Sequence, residues 1–256
     1  MMYTQTNLEN TGIPYVAGGA KIPGYNHGDA LFFDEESTNH TMMILMADFL
    51  LRMYTGKDLK TVMDVGSGAG SLGYWLKLMK PDLEVVCLDG NRATIDSPFV
   101  DKDTHFVVRT DEEYTIMRGD AIAKFDLIVS FEHVEHIEPH RFEVFMDNIR
   151  RHSDLSTVFF ATASKWEYPT EDEKHIHCNV KDTTEWKQYF KEQPYVLGSA
   201  IGDMASVSEE TWERQPLFVK TLYDCLARAH GEFPDEVEAW RSRLISSCIL
   251  VMRFVS

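Results

Sequence analysis

The sequence predicts an α/β fold in which a mostly parallel, twisted sheet carries helices on both faces. Three observations predict it. Short apolar runs alternate with stretches of helical spacing, a glycine-rich turn joins the first of these runs to the next helix, and an acid closes the second run. The 256 residues, 44% of them hydrophobic and 26% charged, are enough for one large domain with a substantial core.

Residues 1–36 are broken by Gly12, Pro14, Gly18, Gly19, Pro23, Gly24 and Gly28 and predict an irregular arm. Its Tyr15, Tyr25, Phe32 and Phe33 are expected to pack on the core or to cover a ligand. Ser37 and Thr38 are N-cap types ahead of a helix to about Tyr54, in which Met42, Leu45, Met46, Phe49 and Leu50 recur at helical spacing before Gly56. A buried strand at 61–65, a helix at 71–79 stopped by Pro81, and a second strand at 84–88 make one βαβ unit. Further strands are expected at 105–108, 125–131 and 157–161, with a helix at about 140–151 between the last two. A helix at 184–191, a short strand near 195–198, helical stretches near 209–229 and 235–244, and a closing strand at 248–254 complete the order. With no repeat or low-complexity linker, the chain divides into an arm (1–36) and one domain (37–256) with a helical insertion at about 201–245.

Lys and Arg number 25 against 41 Asp and Glu, a net charge of −16. That charge repels polyanions, and the basic residues are scattered, so bulk binding to duplex nucleic acid or to anionic membranes is disfavoured. Cys87, Cys178, Cys225 and Cys248 show no CxxC spacing and read as reduced thiols. No basic residue precedes Lys21, and the apolar stretch 42–51 is interrupted by Asp48, far short of the ~20 residues a membrane span needs. The expectation is a cytoplasmic protein.

Asp64-Val65-Gly66-Ser67-Gly68-Ala69-Gly70 follows a strand and opens a helix, so its glycines allow a tight turn and close approach of a ligand. Asp89 ends the next strand, 23 residues beyond Gly66, where a carboxylate can accept both hydroxyls of a ribose. These features also suit NAD. Asp64 separates the two readings: an acid before the glycines repels a pyrophosphate and attracts an ammonium group, although an acid there could also simply cap the helix.

At this point the sequence resembles the class I S-adenosylmethionine (SAM)-dependent methyltransferase family. Its first motif reads (D/E)xGxGxG, and VVCLDGN at 85–91 and FDLIVSF at 125–131 match its acidic and fourth-strand motifs. The resemblance implies a Rossmann-like sheet of seven strands, mostly parallel, with an antiparallel last strand. It implies that Asp64, Gly66, Ser67, Gly68 and Gly70 hold the methionine end of SAM, that Asp89 holds the ribose beside Gly90 and Asn91, and that Phe131 lines the cofactor. An acid after the third strand would meet the adenine amine. Asp111 has the better distance and Asp120 the more family-like setting, Gly119-Asp120-Ala121; Asp111 is preferred.

Glu132-His133-Val134-Glu135-His136 follows the fourth strand directly. Carboxylates and imidazole suit Mg, Mn, Fe or Zn, and His175 or His177 could complete a set. This resembles the metal site of the small-RNA 3′-end 2′-O-methyltransferases, and E-x-x-E-H alone is similar to that of the ubiquinone-pathway O-methyltransferases. Many class I enzymes carry Glu-His here without a metal. Two alternatives therefore stand: a divalent metal on Glu132, Glu135, His136 and His177, or metal-free catalysis with His136 or His177 as base and Glu132 lining the site. His177-Cys178-Asn179 followed by Trp186 and Phe190 resembles a bacterial and phage branch of the family; Trp186 and Phe190, at i and i+4, are expected to pack their helix on the sheet.

The leading expectation is methyl transfer to an oxygen or nitrogen of a small molecule or glycan. The alternatives are a metal-assisted RNA 2′-O-methyltransferase, which requires a basic groove or a metal, and a non-catalytic SAM-binding protein. An NAD-dependent dehydrogenase is disfavoured by Asp64.

Overall fold

A computed structural model describes residues 2–6, 38–54, 58–166, 177–203, 220–222, 224–225 and 247–255. In chain order the strands are β1 (Tyr3–Gln5), β2 (Thr61–Val65), β3 (Glu84–Asp89), β4 (His105–Val107), β5 (Ile116–Arg118), β6 (Ala121–Ile122), β7 (Leu127–Ser130), β8 (Val158–Ser164), β9 (Val196–Asp203) and β10 (Ser247–Phe254). The helices are α1 (Thr38–Met53), α2 (Ser71–Met79), α3 (Phe142–Arg151) and α4 (Thr183–Glu192).

Seven strands form one sheet in the order β4-β3-β2-β7-β8-β10-β9. The pairs among β4, β3, β2, β7 and β8 are parallel, whereas β10 runs antiparallel to both β8 and β9. All five residues of β2 and all seven of β8 are buried, as expected for strands covered on both faces. Strand alternation sorts their side chains. Val62, Val129 and Phe160 face α1 and α2 through Phe49, Leu50, Leu72 and Leu76. Met63, Ile128 and Phe159 face Phe145, Ile149, Trp186 and Phe190 of α3 and α4. Each such buried side chain contributes about 1.5–3 kcal/mol relative to exposure.

Trp186 and Phe190 are core residues: their rings stack at 5.6 Å, and Trp186 also meets Phe142 at 5.5 Å. At the start of α4, Asp182 accepts from the backbone N–H groups of Thr184 and Glu185, and the Glu185 carboxylate accepts from the Asp182 N–H. This capping box anchors the helix immediately after the His177 loop.

Three features depart from the sequence reading. Tyr3–Gln5, inside the predicted irregular arm, is a strand that joins β5 and β6 in a second, three-stranded sheet. This sheet is tied to the amino-terminal end of β3, where Glu84 accepts from Tyr3 Oη and pairs with Arg118. The strand expected near 195–198 continues to Asp203, because β10 supplies partners for Ala200, Ile201 and Gly202. Residues 201–203, at the start of the segment read as an insertion, thus belong to this strand. Lys220–Leu222 and 224–225 are helical, and the remainder of that segment, like the arm residues Tyr15, Tyr25, Phe32 and Phe33, lies outside the described residues.

Candidate active site

The parallel strands end at one edge, so the segments following β2, β3, β4, β7 and β8 meet there, as open α/β sheets require of a ligand site. The glycine loop is bound into the protein by its own amides. Gly66 and Ser67 N–H donate to the Leu88 carbonyl at 2.8 and 3.0 Å, Gly68 N–H to Asp89 Oδ2 at 2.8 Å, and Gly70 N–H to Ser67 O at 3.0 Å. Four donors are therefore committed to the protein and not turned toward a phosphate, which speaks against a pyrophosphate ligand.

Asp89 also accepts from Asn91 N–H through Oδ1 at 2.7 Å, so each carboxylate oxygen holds one backbone donor. Gly90 is buried beside it. Asp64, at the end of β2, is only 2% exposed. Burial, and then the charge of Asp89, push its pKa up to about 8. Burial also raises Asp89, but the Asn91 and Gly68 N–H groups oppose that shift. Two buried acids thus stand close enough for the charge of one to raise the pKa of the other, which favours the protonated form of Asp64.

Gly66 has φ +77, and a Cβ there would lie 2.3 Å from His133 Cγ. The His133 ring rests on this glycine, bonds Thr110 Oγ1 through Nε2 at 2.8 Å, and meets the edge of Phe145. Sequence reasoning passed over His133; the available signal was a histidine directly after the fourth-strand motif. Gly66→Ala is expected to cost about 1–3 kcal/mol in urea unfolding, from left-handed strain plus the clash. Gly119→Ala, at φ +63 with nothing near its Cβ, is expected to cost only the strain, about 1 kcal/mol.

After β4, Asp111 is 5% exposed and accepts from Arg109 Nε and Nη2 at 3.2 and 3.0 Å and from Arg141 Nη1 at 3.3 Å. Asn148 of α3 holds this segment by donating to the Thr110 and Glu112 carbonyls. Asp120 is exposed in the β5–β6 turn, a hairpin tied to the opposite edge of the main sheet. Of the two candidate acids only Asp111 stands at the ligand edge. Arg109 and Arg141, two basic groups beside Asp111, are both ion-paired with Asp111 and Glu112.

Phe131 follows β7 with its ring 5.4 Å from Phe160. Glu132 has φ +46, a left-handed conformation that costs a non-glycine residue about 1–2 kcal/mol, and its N–H donates to Thr162 Oγ1 at 3.0 Å. The carbonyl of Glu135, a fully buried residue, accepts from Cys178 and Asn179 N–H, both at 2.9 Å. These two bonds fasten the His177 loop to the loop after β7. Burial raises the Cys178 thiol to about 11, so it stays neutral, and Sγ donates to the His136 carbonyl at 3.4 Å.

Glu135, His136 and His177 offer ligand-type atoms that all lie within 4.8 Å of one another. His177 Nδ1 lies 2.7 Å from the Trp166 carbonyl. A carbonyl only accepts, so Nδ1 carries a proton, and in the neutral ring Nε2 is then the basic nitrogen, the tautomer that suits either a base or a metal ligand. His175 lies outside the described residues. A separate open cavity of about 330 Å³, among Tyr54, Val158, Ser199 and Arg253, opens at the amino-terminal edge of β8, away from these groups.

The strand order, the antiparallel β10 and the acid-glycine loop define a Rossmann-like class I methyltransferase fold. The profile of a family described as "Methyltransferase domain" matches residues 39–197, more than half of the chain, and the chain belongs to that family of SAM-dependent enzymes. Among solved structures, the plantazolicin methyltransferase BamL in complex with a triazolic desmethylPZN analog and SAH is 15% identical, with a TM-score of 0.59 over 86% of this chain and 88% of that one. PH0226 from Pyrococcus horikoshii OT3 is 15% identical, with a TM-score of 0.55 over 88% and 96%. Phospholethanolamine N-methyltransferase 2 of Haemonchus contortus, in complex with phosphomonomethylethanolamine and S-adenosylhomocysteine, is 13% identical, with a TM-score of 0.51 over 88% of this chain and 59% of that one. No curated protein matches the sequence. Among the described residues no helix is long and apolar enough to cross a membrane.

Proposed function

We propose that this enzyme transfers the methyl group of SAM to a hydroxyl oxygen of a small-molecule or glycan acceptor. The observation that carries this reading is the meeting, at one sheet edge, of the Asp64/Asp89 pocket with the Glu135-His136-His177 cluster. The sulfonium of SAM supplies an electrophilic methyl group. Asp64 and the loop Gly66, Ser67, Gly68 and Gly70 hold its amino-acid end, Asp89 with Gly90 and Asn91 its ribose, Asp111 its adenine amine, and Phe131 lines the pocket.

Glu132, His136 and His177 orient the acceptor, and His177 Nε2 takes the hydroxyl proton as the oxygen bonds to carbon and the carbon–sulfur bond breaks, leaving a methyl ether and S-adenosylhomocysteine. The same donor set, one carboxylate and two imidazoles with one tautomer fixed, also fits a divalent cation. Glu135, His136 and His177 would hold it with Glu132 beside them, and it would supply acidification of the acceptor hydroxyl.

Calorimetric titration of the chelator-treated protein with S-adenosylhomocysteine tests the cofactor half, with NAD and Asp89→Ala as controls. Micromolar binding is expected, weakened about tenfold in Asp89→Ala by the loss of hydrogen bonds to a charged group. Binding of NAD, or no binding of either ligand to the folded protein, would refute the assignment. Manganese titration of the same sample, in wild type and His177→Ala, decides between the cation-assisted and metal-free forms.

A further inference from the structure

We infer that His105 is a positioning residue for the cofactor: acting through Thr94, it fixes the turn that holds the Asp89 carboxylate for the ribose. This rests on the assignment of Asp89 to the ribose in the function proposed above and extends it to a buried residue with no part in that assignment. His105 opens β4 opposite Cys87 of β3 and is only 4% exposed. Its Nε2 lies 2.9 Å from Oγ1 of Thr94, a buried residue of the short 3₁₀ helix Arg92–Asp96 that follows β3.

The direction of each hydrogen bond follows from counting protons. A threonine hydroxyl has one hydrogen, and Thr94 Oγ1 lies 2.7 Å from the Asn91 carbonyl, which only accepts. Thr94 therefore donates to Asn91 and accepts from His105, so Nε2 carries the imidazole proton. Thr94 N–H donates to the same carbonyl at 3.1 Å. Asn91, pinned at its carbonyl, donates its own N–H to Asp89 Oδ1 at 2.7 Å. One chain of bonds thus runs from β4 to the carboxylate, and within it each donor polarises the next.

The second imidazole nitrogen shows what the residue supplies. Burial lowers the His105 pKa to about 4, which keeps the ring neutral. Nδ1 then carries a lone pair in a buried place with no partner among the described residues. An apolar side chain would leave no such orphan; what it would lack is the donor to Thr94. The far end of the turn is held independently, by Ser97 Oγ donating to the Ala69 carbonyl at 2.7 Å. Loss of the imidazole therefore loosens the Asn91 end, next to Asp89, and leaves the segment docked on the glycine loop.

The test is calorimetric titration of the full chain with S-adenosylhomocysteine in wild type, His105→Leu, His105→Gln and Thr94→Val, each alone and combined with Asp89→Ala. His105→Leu is expected to weaken binding about three- to tenfold, the weight of one buried hydrogen bond, and Thr94→Val at least as much. His105→Gln, whose amide keeps an N–H donor near the place of Nε2, is expected to stay within about twofold of wild type. In the Asp89→Ala background neither His105→Leu nor Thr94→Val is expected to add more than about twofold, because the carboxylate they position is gone. A general loss of stability would weaken both backgrounds alike and would not be repaired by glutamine. Thermal unfolding checks that each variant is folded; should His105→Leu not fold, Thr94→Val makes the same comparison. Wild-type affinity in the folded variants, equal losses with and without Asp89, or a glutamine variant as weak as the leucine one would overturn the inference while leaving the methyltransferase reading intact. Asp89→Ala binding as tightly as wild type would overturn the ribose assignment and the inference with it. No binding to the folded wild type would overturn the cofactor assignment as well.

Discussion

Replacing His177 by alanine is expected to lower methyl transfer by about 10²- to 10⁴-fold, the usual contribution of a positioned general base, while S-adenosylhomocysteine affinity stays within about twofold. The two effects separate because the loop bearing His177 is fastened by main-chain bonds, Cys178 and Asn179 N–H to the Glu135 carbonyl, which survive the substitution. The capping box on Asp182 holds the start of α4 independently of the imidazole. Single-turnover rates with saturating SAM, alongside calorimetry, check both halves. Added imidazole should restore part of the rate if His177 takes the proton; excess manganese should restore it if the residue serves as a cation ligand. A parallel loss of cofactor affinity would show that His177 belongs to the SAM pocket instead.

Lowering the pH from 8 to 6 is expected to weaken S-adenosylhomocysteine binding up to about 100-fold, with little change in Asp64→Asn beyond its lower starting affinity. Asp64 holds a proton up to about pH 8 because it is buried beside Asp89. An ammonium ligand favours the carboxylate, so binding below pH 8 must release that proton, and affinity rises about tenfold per pH unit until Asp64 ionises unaided. Calorimetry in buffers of different ionisation enthalpy counts the proton. Binding that is flat across this range would mean that no cationic group meets Asp64. For stability the sign is fixed by the same shift. The pKa is raised on folding, so the contribution of Asp64 is fully present below the ordinary carboxylate value near 4 and is lost as the pH rises to about 8.

The framework that positions these groups was largely legible in the linear sequence. The bounds of β2 and α2 coincide with the predicted ones, because a continuous apolar run and a glycine loop mark both ends of the turn without long-range help. Asp64, the glycines and Asp89 were legible for the same reason: their spacing is set by one βαβ unit. The three-stranded sheet of β1, β5 and β6 was not, because strands of two or three residues are too short to show a period. In β9, Gly198, Ser199 and Gly202 have poor strand propensity, and the segment is extended only because β10 pairs with it.

By itself, then, the sequence determined the class of fold, the order of elements in the seven-stranded sheet and the acid-glycine-acid spacing, the last a property of residues within about twenty-five positions of one another. The tertiary structure alone decided the rest of the site. It set the His133 ring on Gly66, bound Asp111 between two guanidinium groups, placed Asp120 at the far edge, and brought His177 and Trp166 to Glu135 and His136. Several of those contacts join distant residues, as do Gly66 and His133 or Asp111 and Arg141, and local propensity carries no record of which loops a sheet will place side by side; strand order does that, through the burial of both sheet faces.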